Sequence, residues 1–307
     1  MAEAATIAQS RTAPTRRPAG ETAVAWLLAA PATLAYAAMI LVPSLALVVL
    51  AFTDYELGAP GFRWVGLGNF AELMADRGFL RSVANTALYV LFVAPVSVAL
   101  GLAIALLIEG GRRGRALFRA LFFLPVVSLT VAMATAWSYI LHPTIGPLNA
   151  LLRAVGIDGA NWLGDSGTVL LSLGLIGIWE NAGFNLVLFL AGLTAIPRDL
   201  YAAAEMDGVK SAWDRFVTVT WPMLGPTTLF VVIITTVRAI RVFDTVATLT
   251  QGGPNKASEV ILFTMYTEGF SFFRMGYSAA ITLLFLVAVT VLMLVQNRLI
   301  DRRVHYG

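Results

Sequence analysis

The sequence predicts an all-α, polytopic membrane protein with six transmembrane helices. Composition is the first reason: of 307 residues, 58% are hydrophobic and 13% charged, and the mean hydropathy is +0.79. A soluble domain carries about 25% charged residues, and its surface must stay largely polar. The second reason is where charge is missing. No Asp, Glu, Lys or Arg occurs between Glu21 and Asp54, Arg81 and Glu109, Arg119 and Arg153, Arg215 and Arg238, or Arg274 and Arg298. A helix needs about 20 apolar residues to cross the hydrocarbon, and each run is long enough. A sixth run, Val169–Leu193, is interrupted only by Glu180.

Residues 1–22, rich in Ala, Thr, Pro and Arg, are expected to be a disordered cytoplasmic tail. The apolar stretch that follows is too long for a signal peptide, whose core runs about 7–15 residues, and reads as a retained span. The six helices are expected at 24–52, 83–108, 116–141, 169–193, 223–243 and 276–297, within a membrane domain of 23–298 followed by a cytoplasmic tail, 299–307. In the second, Asn85 reads as a cap or interhelical bond; Pro95 there and Pro125 in the third mark kinks. At the end of the fifth, Arg238 and Arg241 are expected to snorkel to the outer surface; the alternative is that they attract an anionic solute such as a phosphate ester. With the N-terminus inside, 13 Lys and Arg fall on the inner side and 6 in outer loops. That asymmetry sets topology and predicts both termini in the cytoplasm.

Several function classes drop out. Without cysteine there is no thiol chemistry, and two histidines, His142 and His305, cannot build a His-rich metal site. His142 has no Ser or Asp constellation with which to run a hydrolase. No Gly-rich loop ends in Gly-Lys-Ser/Thr, so any ATP is bound elsewhere. The net charge of +3 is dispersed, with no basic stripe for nucleic acid; the partner the composition demands is membrane lipid. A non-transporting scaffold or receptor-type subunit is the alternative reading.

The fourth helix holds Glu180, Asn181 and Asn185 midway. Charge there is costly and faces a bundle interior or a watery cavity. The three residues either bind helix to helix or line a translocation path and hydrogen-bond solute hydroxyls. An ionised Glu180 in such a path would repel a phosphate ester.

Residues 194–222 read as two short helices around a glycine turn. Asp199 is expected to cap the first and Gly208 to end it in a left-handed conformation. Ser211 and Asp214 form a capping box for the second. Trp213, Phe216, Val217 and Thr220 recur at helical spacing, and Pro222 is expected to end the pattern. The hairpin is either an interfacial helix or a docking knob for a cytoplasmic partner.

The residues themselves resemble a family. Ala191-Gly-Leu-Thr-Ala-Ile-Pro197, Tyr201-Ala-Ala-Ala-Glu-Met-Asp-Gly208 and Pro222-Met-Leu-Gly-Pro226 are similar to the coupling loop of ABC importer permeases. Phe243-Asp-Thr-Val-Ala-Thr-Leu-Thr-Gln-Gly-Gly-Pro254 resembles the carbohydrate-uptake branch, that of the maltose and glycerol-3-phosphate permeases. The resemblance implies a type I ABC importer permease fold in a bacterial cytoplasmic membrane. It assigns ATPase coupling to 191–226, with Ala203, Ala204, Glu205, Asp207, Gly208, Trp213, Phe216 and Val217 as contacts. Pro197, Pro222, Gly252, Gly253 and Pro254 are its signature positions. It further implies a second homologous permease, two ATPase subunits that bind ATP and Mg, an extracytoplasmic solute-binding protein, and a sugar, oligosaccharide or glycerol-3-phosphate-like solute. No cofactor is expected in this chain. One position departs: the family commonly has Glu where this chain has Ala202. With Asp199 as N-cap, Ala202 is the position from which Glu would close a capping box.

Overall fold

The computed structural model describes residues 19–111 and 114–301, which are helical apart from loops and one isolated bridge, Thr53 to Trp64. The chain divides into two units at Val49/Leu50. The first contains α1 (Ala19–Tyr36), a π turn over Ala37–Leu41 and most of α2 (Val42–Leu50). None of its described side chains is buried within the protein, which suits a helix solvated by lipid. Its hydroxyls fold back on its own backbone, Thr33 to the Ala29 carbonyl and Ser44 to that of Ile40, both at 2.7 Å. In hydrocarbon this pairs both of these hydroxyls within the helix. Helix already covers Ala19–Thr22, which corrects the tail boundary expected there; residues 1–18 lie outside the described residues, as do Arg112, Arg113 and the end of the C-terminal tail from 302.

The second unit contains α3 (Gly68–Ala75), α4 (Arg77–Gly110), α5 (Arg115–Val127), α6 (Thr130–Ile140), α7 (Pro147–Ala154) and α8 (Val169–Ala195), then α9 (Arg198–Met206), α10 (Ala212–Arg215), α11 (Trp221–Met223) and α12 (Gly225–Ile240). It closes with α13 (Asp244–Leu249), α14 (Ile261–Tyr266) and α15 (Met275–Asp301). Its centre is the α4–α8 pair. Tyr89 and Val93 pack with Val169, Leu173 and Ile178 in one buried cluster, and Ala105 and Ile108 with Leu186, Phe189 and Leu193 in another. Gly101 permits the approach: a Cβ there would stand 2.6 Å from the Asn185 Cβ.

Among the described residues, four helices qualify as spans by length and apolarity: Val24–Leu50, α4, α8 and Met275–Gln296. The single third span expected over 116–141 is corrected, because α5 and α6 meet at 102°. Ser128 and Leu129 both have extended backbone, so the helical ladder stops there and not at Pro125, which lies inside α5. The Ser128 hydroxyl takes up the Leu124 carbonyl at 2.7 Å, satisfying one acceptor freed by the break. The fifth is shorter than expected: α12 has 16 residues, about 24 Å at the helical rise.

At the N-terminal end of α4, Asp76 is the cap, accepting the Gly78 N–H at 2.7 Å and the Tyr277 hydroxyl at 2.9 Å. Partial burial alone would raise the Asp76 carboxyl, but these hydrogen bonds outweigh it and hold the group below its ordinary value. A depressed carboxyl contributes stability that is full above its unfolded value of 3.8 and is lost as pH falls through the lower folded value. Asp76→Asn is therefore expected to lower the thermal midpoint near neutral pH, and the gap from the parent protein should close as a melting series reaches pH 3 and below. A gap that stays constant with pH would contradict this.

Nearby, the Arg274 guanidinium pairs with Glu268 at 3.2 Å and with Glu72, and lies 4.1 Å over the Tyr277 ring. The Gly252-Gly253-Pro254 block sits in the loop between α13 and α14. Asn85 on α4 clamps that loop, its amide donating to the Lys256 and Glu259 carbonyls at 3.0 and 2.9 Å. Thr86 accepts the Ile261 N–H at 3.0 Å. Asn85 thus bonds a loop 171 to 174 residues away, a partner that sequence spacing does not reveal.

Candidate functional site

Two features stand out, a helical hairpin and a polar cavity. The hairpin begins with α9. Its N-cap is Pro197 and Asp199 lies in the first turn, which corrects the cap expected at Asp199. Ala202 is therefore not the third helical residue, and a Glu there could not close a capping box. Asp199 keeps a favourable place, since negative charge suits a helix N-terminus. At the other end Gly208 has φ +92°. The Val209 N–H bonds to the Ala204 carbonyl at 3.0 Å and the Gly208 N–H to that of Glu205 at 3.2 Å, the two-bond pattern of a Schellman turn.

The second arm starts at Ser211, whose hydroxyl accepts the Asp214 N–H at 2.9 Å. It runs through α10, a π turn over Phe216–Thr220 and α11, so Pro222 does not end it. Proline lacks the N–H of a helical ladder, and its ring crowds the carbonyl four residues back; the wider π turn just before it relieves that crowding. The ladder resumes with the Leu224 N–H on the Thr220 carbonyl at 2.9 Å. The arms are tied by an Arg215–Glu205 ion pair at 2.6 Å and a Tyr201–Thr220 hydroxyl contact at 3.1 Å.

The apolar strip is split. Ala204, Val219 and Leu224 are buried in the cluster that reaches α4 and α8, and Thr220 is buried with them. Trp213, Val217 and Trp221 are exposed, Trp213 at 70%. Phe216 is half-buried, with its ring 5.6 Å from Trp213 and 5.9 Å from Trp221. Ala203, Glu205, Asp207 and Gly208 are exposed around the turn. The hairpin is thus rooted in the bundle and presents a three-ring aromatic ridge outward.

The cavity has a volume of about 430 Å³, and α4, α6, α8, α12 and α13 contribute to its lining, with Glu180, Asn181, Arg238, Arg241 and Asp244 as its charged and amide groups. Arg238 does not snorkel away as expected. Its Nη2 lies 3.4 Å from Glu180 Oε1 and its Nε donates to Asn181 Oδ1 at 3.1 Å. The guanidinium stands 4.5 Å over the Phe184 ring, an attractive cation–π placement. The Asn181 amide in turn donates to the Gly177 carbonyl at 2.8 Å. Asn185 lies elsewhere: fully buried beside Gly101, it accepts the Thr235 hydroxyl at 2.7 Å and links α8 to α12. Of Arg238, Arg241 and Asp244, the sequence reading missed Asp244 and admitted the two arginines as solute-facing groups only as the alternative to snorkelling. One signal pointed to the first of them, because a lone carboxylate within a span needs a cationic partner from another.

The family described as "Binding-protein-dependent transport system inner membrane component" matches residues 65–306. The chain is 34% identical over 247 residues to the sn-glycerol-3-phosphate transport system permease protein UgpA of Agrobacterium fabrum, covering 80% of this chain and 83% of that one. It is 33% identical over 229 residues to the trehalose/maltose transport system permease protein MalF of Thermococcus litoralis, covering 74% and 76%. In fold it matches a chain of a bacterial alginate ABC transporter, solved in complex with an alginate pentasaccharide-bound periplasmic protein, with a TM-score of 0.82 at 23% identity over 94% of this chain and 98% of that one.

Proposed function

We infer the following for a chain that belongs to the family of binding-protein-dependent transport system inner membrane components, and is the non-catalytic permease subunit of an ABC importer. It provides half of a pathway for a sugar, oligosaccharide or glycerol-3-phosphate-like solute, and pairs with a second, homologous permease. Two ATPase subunits dock on the hairpin, and an extracytoplasmic binding protein delivers solute to the opposite face. The observation that carries this reading is the pairing of an exposed aromatic ridge with a polar cavity in the second unit of the chain. A ridge that seats in an ATPase cleft moves with it, and the cavity behind it opens or closes accordingly. The names of the glycerol-3-phosphate and trehalose/maltose permeases among the relatives support the solute class.

Six spans with both termini inside follow from the charge asymmetry, with the bent α5–α6 pair as the third and α12 as the fifth. The chain has no native cysteine, so single-cysteine labelling tests this directly. A cysteine at Gly208 should react only with reagent admitted to the inner side, and one at Gly58 only with reagent on the outer side; the reverse would invert the topology. Reconstitution with the partner permease, ATPase and binding protein tests the function. Sugar-loaded binding protein is expected to stimulate ATP hydrolysis, and stimulation by an amino acid with none by any carbohydrate would overturn the solute class.

A further inference from the structure

The cavity deepens the proposed function, on which this inference rests, because its charges balance. Two guanidinium groups, Arg238 and Arg241, face two carboxylates, Glu180 and Asp244. Arg238 is held on three sides, by Glu180 at 3.4 Å, by Asn181 at 3.1 Å and by the Phe184 ring. Glu180 makes its one ion pair among the described residues with Arg238. Both side chains nonetheless keep about a third of their surface open, 35% for Arg238 and 31% for Glu180, so each presents polar atoms to a solute. The side chains of Arg241 and Asp244 make no hydrogen bond or ion pair among the described residues, and their opposite charges offset each other along the same wall.

We propose that Glu180 is a specificity-determining residue: by neutralising Arg238 it keeps the cavity electrically balanced and confines passage to uncharged polyhydroxy solutes. An anionic solute would have to displace Glu180 from Arg238 and would meet its carboxylate at close range. A neutral polyol instead finds acceptors on Glu180 and donors on the guanidinium, without breaking the pair. Without the Glu180 charge, the same wall carries an uncompensated guanidinium, the group best suited to phosphate and carboxylate. One residue thus separates a sugar site from an anion site.

The test uses the complete permease–ATPase complex in nanodiscs, with the binding protein omitted so that it cannot select. Equilibrium binding of radiolabelled glucose, glucosamine and glucose 6-phosphate compares one ring with neutral, cationic and anionic charge. The parent protein should prefer glucose to glucose 6-phosphate. Glu180→Gln should raise glucose 6-phosphate relative to glucose about tenfold or more, given the strength of a unit charge a few ångströms away. Arg238→Gln should instead raise glucosamine, and the double variant should restore the parent order. The double variant leaves no buried charge unmatched, so it keeps the test decisive if a single variant fails to fold. A parent protein that prefers glucose 6-phosphate, or variants with unchanged preference, overturns the proposal. Failure of the importer reading would show differently, as loss of binding-protein-stimulated ATP hydrolysis in the parent complex.

Discussion

Phe216→Asp is expected to abolish recruitment of the ATPase by the permease while leaving its yield in the membrane unchanged. Phe216 lies between Trp213 and Trp221 in the aromatic ridge. On docking, its new carboxylate would be taken out of water against apolar rings with no cation to meet it. Burying an unpaired charge is costly, and a central aromatic of an interface is commonly worth about 2–4 kcal/mol, roughly thirtyfold to nearly a thousandfold in affinity. Insertion should survive because the Lys and Arg that set topology are untouched. Co-purification of ATPase with the variant, followed by stimulated hydrolysis in vesicles, reads the effect. Wild-type recruitment would remove the ridge as the docking element. Ala202→Glu makes a useful contrast: Ala202 is exposed and too far along α9 to cap it, so any gain in docking must come from a contact with the ATPase and not from a steadier helix.

The second large effect concerns the centre of the bundle. Gly101→Val is expected to eliminate most folded protein. A Cβ at Gly101 would stand 2.6 Å from the Asn185 Cβ, 3.1 Å from the Leu186 nitrogen and 3.2 Å from the Ala182 carbonyl oxygen. Two of those three atoms are α8 backbone, which cannot rotate away. Overpacking of a tight core costs about 1–3 kcal/mol and sometimes more, and here it would also pull Asn185 from Thr235. Gly101→Ala should be milder, with a measurable drop in melting temperature in detergent. Monodisperse, parent-like Gly101→Val on size exclusion would refute the close α4–α8 approach.

The long apolar helices were legible because lipid imposes a simple rule, and α4, α8 and α15 each fill a charge-poor run. The turn at Gly208 was legible because its cause is local, within four residues. The break between α5 and α6 was not, since Ser128-Leu129 lies in an uninterrupted apolar run and only its backbone angles reveal the corner. Asp199 lost the cap to Pro197 because a proline-led first turn begins the helix earlier. Arg238 was misread because snorkelling describes one side chain on one helix, whereas its real position depends on how α8 and α12 pack. Nothing in the spacing from Trp213 to Thr220 announces a π turn, so the strip predicted on one face is divided between core and solvent.

That π turn acts as a phase shifter. Each residue of an α-helix rotates the chain by about 100°, and the extra residue held in Phe216–Thr220 offsets everything before it from everything after by one such step. Buried Val219 and Thr220 fix the phase of the arm on the bundle side; Trp213 inherits its heading from the offset. The direction in which the ridge points is therefore encoded by residue count and not by side-chain chemistry. Wound as a plain α-helix, the same residues would point the tryptophan about a quarter of the way round the helix axis with no residue of either face changed.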